Sequence, residues 1–133
     1  MRFLNPPTMP APFGYSQVVE TGPGRTIHLA GQVAMNQAGE IVGEGDLGAQ
    51  AEQIFVNRAA GLAAAGATFR DVVKLTIYVT SVAELPAFRR ARDRHVNTES
   101  PPASTLVQVA GLALPGLLIE IDATAVVEDG RVP

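Results

Sequence analysis

The chain is 133 residues long, enough for one hydrophobic core and too short for two. Its hydrophobic fraction of 47%, against 17% charged residues, excludes an intrinsically disordered chain, and the formal net charge of -3 argues against a nucleic-acid polyanion as main partner. Cysteine is absent, which excludes disulfides, thiolate nucleophiles and thiolate-held zinc.

Aromatic residues supply 5% of the chain and there is no Trp, so Val, Leu, Ile and Ala must build the core. No apolar run approaches the roughly 20 residues that a membrane-spanning helix needs. The first twelve residues lack the continuous apolar segment of a signal peptide. The expectation is a cytoplasmic protein without membrane contact.

Residues 1–13, with Pro6, Pro7, Pro10 and Pro12, show no periodicity and read as an extended arm. A short strand is expected over Tyr15–Glu20, stopped by Gly22-Pro23-Gly24, and a second over Thr26–Ala30. Turn-forming residues then surround a short Glu40–Val42 strand. Asp46 has the chemistry of a helix N-cap, and the helix runs to about Ala65, with Gly66 as its stop. Leu47, Ala51, Ile54, Phe55, Ala59, Leu62 and Ala63 recur at three- and four-residue steps and define its buried stripe.

Asp71–Thr80 is the clearest strand, with Val73, Leu75, Ile77 and Val79 on one face and Lys74, Thr76 and Tyr78 on the other. A second helix is expected from Glu84 to about Val96. Pro101-Pro102 then precedes a strand over Thr105–Val109, and Leu117–Val127 forms a long final strand. On that strand Ile119, Ile121, Ala123 and Ala125 form an apolar face. Leu118, Glu120, Asp122, Thr124 and Val126 form a mixed one. Two acids on one face would repel if packed dry, so this face is wet or lines a polar site. The order β-β-(β)-α-β-α-β-β describes an α+β domain whose sheet buries one face under two helices and leaves the other for solvent or a partner.

Five segments resemble the Rid (YjgF-type) superfamily in order and spacing. They are Gly14-Tyr15-Ser16-Gln17, Ala30-Gly31-Gln32, Asp71–Thr76, Pro101-Pro102-Ala103-Ser104-Thr105 and Ile119–Val126. The resemblance implies a single chorismate-mutase-like domain over residues 1–133, with a mixed sheet and two helices on one face. It also implies a homotrimer with small-molecule clefts between subunits. Known members hydrolyse imines and enamines, and others are described as binders, ribonucleases or translation inhibitors.

Carried over residue by residue, the resemblance makes Glu120 the catalytic acid that handles water and Tyr15 the ring that lines the cleft. Ala30, Gly31 and Ser104 become substrate-binding positions. Each has a plainer alternative: Glu120 as a surface carboxylate, Tyr15 as an anchor for the arm, Gly31 as a strand-end turn. Two positions depart from the deaminase pattern. Ser104 stands where an Arg would pair bidentately with a substrate carboxylate, and Ala30 where a hydroxyl residue is usual. The reading is therefore a hydrolase acting on an imine, enamine or related C=N metabolite, without the usual clamp. The alternatives are a non-catalytic metabolite-binding or regulatory trimer and, behind it, an endoribonuclease or translation inhibitor.

No cofactor or metal is called for: His28 and His95 lack ligand spacing and read as structural. Ser16 and Ser104 have no evident base. Arg89, Arg90, Arg92 and Arg94, interleaved with Asp93, read as a solvated helix face rather than an RNA surface.

Overall fold

The computed structural model describes residues 1–130. In chain order they form β1 (Arg2–Leu4), β2 (Val18–Glu20), β3 (Gly24–Val33), α1 (Leu47–Ala64), a 3₁₀ turn (Phe69–Asp71), β4 (Val72–Val79), α2 (Leu85–Asp93), β5 (Ala103–Gln108) and β6 (Ile119–Glu128). The main sheet has the order β3-β6-β4-β5, antiparallel except for the parallel pair β4–β5. That pair needs a crossover, and α2 supplies it. Strands β1 and β2 form a separate two-stranded ribbon, Arg2 opposite Glu20. The first residues of the arm are thus paired strand, although three residues are too few to show a period.

Helix α1 begins and ends as its sequence demands. The Asp46 side chain accepts from the Ala49 N–H at 3.0 Å. At the other end Gly66, at φ +71, lets its own N–H reach Ala63 O at 3.0 Å and the Ala67 N–H reach Leu62 O at 2.9 Å. This double bond pattern closes the helix around a left-handed residue. Leu47, Ala51, Ile54, Phe55 and Leu62 are buried as expected, but Ala59 and Ala63 are exposed. Gln50 and Arg58 take the inner face with the apolar residues. Buried Gln50 earns its place through hydrogen bonds: its amide donates to Gly43 O and Gly116 O, and its oxygen accepts from the Leu118 N–H at 2.8 Å.

The core lies between α1, α2 and the face of the sheet that carries Leu75, Ile77, Val79, Ile119, Ile121, Ala123 and Ala125. The apolar face of β6 is as expected, whereas β4 differs at its start. Val72 opposite Ala125 and Lys74 opposite Thr124 leave Val73 as an extra residue, so Val72 is buried and Val73 only half so. A bulge resets the alternation, and strict period-two counting misplaces Val73. Asp71 belongs to the preceding 3₁₀ turn, where its carboxylate accepts from the Thr68 N–H at 2.8 Å.

Other boundaries shift by a few residues. Strand β2 starts at Val18, leaving Tyr15 outside it; β3 runs on to Val33; β5 starts at Ala103; α2 stops at Asp93. The Glu40–Val42 segment contributes one bridge, Met35 to Ile41, rather than a strand. No described helix is long and apolar enough to cross a membrane.

Candidate functional site

Cross-strand register places the side chains of the sheet's other, helix-free face. Val33, Glu120, Tyr78 and Val107 share one row; Asp122, Thr76 and Thr105 share the next; His28, Thr124, Lys74 and Ala103 a third. Lys74 Nζ donates to Thr105 Oγ1 at 2.7 Å, and the Tyr78 hydroxyl points at Asp122 Oδ2 at a long 3.5 Å. Among the described residues these three rows are half-buried or exposed, whereas Val126, further along the same face of β6, is buried.

A second bulge shapes its centre. Leu29 pairs with Ala123 and Gln32 with Ile121, so Ala30 and Gly31 together oppose the single residue Asp122. The Glu120 carboxylate lies against this bulge. A Cβ added at Gly31 would sit 2.5 Å from Glu120 Oε2 and 3.0 Å from its Cδ. Gly31 is therefore a close-approach position, and the carboxylate fills the space that any side chain would need. Among the described residues Glu120 has no hydrogen-bond or ion-pair partner, which leaves both its oxygens free to accept.

The bulge is held from beneath. Arg58, 1% exposed, reaches from α1 to donate to Ala30 O at 3.2 Å and to Ile121 O. Burial draws its guanidinium below the usual arginine range, and the negative charge of Asp122 opposes that pull. Its Nε has no acceptor among the described residues.

Tyr15 and Ser104 lie elsewhere. The Ser16 N–H donates to Pro102 O at 3.1 Å and its hydroxyl to Pro101 O at 2.5 Å, which seats the Tyr15 segment beside the start of β5. Ser16 is thereby a tether, which leaves its hydroxyl committed. Ser104 pairs with buried Leu75, so it lies on the helix-side face, opposite to that of Glu120. The Ser104 and Glu120 rows are three residues apart on β4, about 10 Å along the strands, and the residues sit two strands apart, about 10 Å across. One chain brings together Ala30, Gly31 and Glu120, and leaves Ser104 on the other face of the sheet.

Residues 7–127 match the family model described as Endoribonuclease L-PSP. The chain belongs to this family, the Rid (YjgF) superfamily. A conserved Rid-family protein of unknown function from Yersinia pestis, YyfB, superposes with a TM-score of 0.85 at 45% identity, over 95% of this chain and 98% of its own. Protein DfrA of Myxococcus xanthus is 40% identical over 84% of each chain. A 2-iminobutanoate/2-iminopropanoate deaminase of Dermatophagoides farinae is 34% identical over 96% of this chain and 97% of its own.

Within this Rid domain, sequence reasoning missed Arg58, Gln50 and the role of Arg92. Arg92 is buried at 8% exposure, with its guanidinium over the Phe88 ring, so the basic run is not uniformly solvated. Arg94 pairs with Glu52 at 2.9 Å. His95 stacks on Phe55 and bonds Glu52 at 2.7 Å, the structural role expected of it. The Glu52 carboxyl is raised by burial, but hydrogen bonds and charge from His95 and Arg94 outweigh that and hold it below the ordinary range. Among the described residues no cluster of three or more His, Asp or Glu could hold a metal.

Proposed function

We propose that this Rid-family chain hydrolyses the C=N bond of a small imine, or of an enamine after its tautomerisation to the imine, with Glu120 as base, in a cleft completed by a second copy of the chain. The carrying observation is the Glu120 carboxylate, half-buried against Gly31 and without a partner among the described residues. As water oxygen adds to the imine carbon, its proton passes through Glu120 to the imine nitrogen and gives the carbinolamine. A second pass moves the hydroxyl proton to that nitrogen; the C–N bond breaks, C=O forms and ammonia leaves. Glu120 ends ionised, as it began.

The separation of Ser104 from Glu120 supports a homotrimer. A threefold ring would set the β5 edge of one copy against the helix-free sheet face of the next and join the two halves. Backbone groups at Ala30 and Gly31 would then border the ligand, and no cofactor enters this chemistry.

The test is release of ammonia and keto acid from 2-iminopropanoate and 2-iminobutanoate generated in situ, with the assembly followed by light scattering. Glu120→Gln is expected to lower the rate by about 10²- to 10⁴-fold, the usual contribution of a positioned base. Full activity in Glu120→Gln would remove Glu120 from the reaction. The absence of a charge at Ser104 favours one second reading, a metabolite-binding or regulatory trimer; saturable binding without turnover would select it. The ribonuclease reading loses ground, because Arg92 is buried and Arg94 is paired, which leaves Arg89 and Arg90 of the basic run.

A further inference from the structure

The groove between the N-terminal arm and α2 is lined by Phe13, Gly14, Arg89, Arg92 and Asp93, and is an open depression of about 500 Å³. It shares no residue with the Glu120 group. Arg92 lines it while being only 8% exposed. Its Nε donates to Asp93 Oδ1 at 2.8 Å, and the Phe88 ring lies 5.9 Å from its Cζ. A guanidinium carries five N–H donors, one on Nε and four on the terminal nitrogens. Among the described residues those four have no acceptor. Arg92 is thus buried as a residue, while its forked edge, without an acceptor among the described residues, stays open to solvent and to an incoming anion.

The arm packs beside this edge at Gly14. Gly14 has φ +73, and a Cβ there would lie 2.4 Å from one terminal nitrogen of Arg92. Only glycine meets both conditions without displacing the arm or the guanidinium. Phe13, beside it, is 78% exposed and offers an apolar wall. With Arg89 and Arg92 positive and Asp93 negative, the lining carries a net charge of +1, so a monoanion neutralises it. The planar fork selects a carboxylate, which accepts two parallel hydrogen bonds.

We propose that this groove is a binding site for a small monocarboxylate with a short apolar tail, clamped by Arg92 and assisted by Arg89. Tyr15 follows Gly14 directly, so an occupant also fixes the backbone that carries the Tyr15 ring.

The test is a titration of the isotope-labelled full chain with propionate, propionamide and inorganic phosphate, read by amide chemical shifts. Propionate is expected to move the amides of Phe13, Gly14, Arg89 and Arg92 in a saturable way, whereas propionamide, which lacks the charge, moves none. Arg92→Met should weaken propionate binding about tenfold or more, and Arg89→Met about threefold, the difference between a fork on a buried residue and an exposed charge. Gly14→Ala, which leaves both arginines in place, should weaken it as well. Four results would overturn the proposal: no propionate shifts at these amides, equal shifts with propionamide, equal binding of phosphate, or undiminished binding in a folded Arg92→Met. The wild-type shift map stands even if a variant fails to fold.

Discussion

Arg58 and Arg92 are both buried as residues, yet they direct their donors in opposite ways. Arg58 gives its terminal nitrogens to the carbonyls of Ala30 and Ile121 and leaves Nε without an acceptor among the described residues. Arg92 gives Nε to Asp93 and leaves the terminal nitrogens without an acceptor among the described residues. The first arrangement joins a helix to two strands and supports a bulge; the second leaves the recognition edge facing a groove. Burial of an arginine therefore says little about its role until each nitrogen is followed to its partner.

Substitution can break this contrast, and the largest effect is expected at Arg58. Arg58→Ala should cost about 3–5 kcal/mol in urea unfolding, because it leaves two buried carbonyls unpaired and a cavity where the side chain packed. Arg58→Met should recover part of that. It restores volume and removes the buried charge, but leaves the two carbonyls unpaired at about 1–3 kcal/mol each. A loss below about 1 kcal/mol in Arg58→Ala would mean that the guanidinium is hydrated in solution, and the contrast would fail. Gly14→Ala comes next, at about 1–2 kcal/mol, because a left-handed backbone and a contact with Arg92 both oppose a methyl group. Arg92→Met should cost about 1 kcal/mol, since its main bond is a partly exposed pair with Asp93.

The smallest effect concerns the ion pairs between the helices. The Glu52 carboxyl is held below its ordinary value of 4.5, so the folded state binds its proton less readily than the unfolded chain. Its stabilisation is present above that value and disappears as pH falls through the lower folded value. Thermal melts of Glu52→Gln should therefore differ from wild type by at most about 1 kcal/mol at neutral pH, because the pair is exposed. The two should converge in acid. A gap that widened on acidification would reverse the assigned direction.

Several parts of this architecture were legible in the residues alone. Asp46 and Gly66 bound α1 because capping is local chemistry, readable from a few neighbouring residues. The alternation of β6 marked its buried face for the same reason. The bulges at Val73 and Ala30–Gly31 left no trace, because each is a mismatch between strands distant in sequence. Hydropathy periodicity selects Ala59 and Ala63 for the inner face of α1, where the fold places Arg58 and Gln50. Hydropathy counting sends charges outward, and only the folded chain reveals the carbonyls that reward them inside. Of the site, the neighbourhood of Gly31 and Glu120 followed from family resemblance. The placement of Ser104 on the opposite sheet face did not, since its register with Leu75 depends on how β5 docks.

Strand β6 lies between β3 and β4 in space but follows both in sequence. A ribosome therefore releases β3, α1, β4, α2 and β5 before the strand that joins them has been made. Until Ile119–Glu128 emerges, β3 has no ladder partner and β4 has only β5. Completion of the sheet must wait for β6, and the nascent chain presents unpaired strand edges until then, the interval in which aggregation competes with folding.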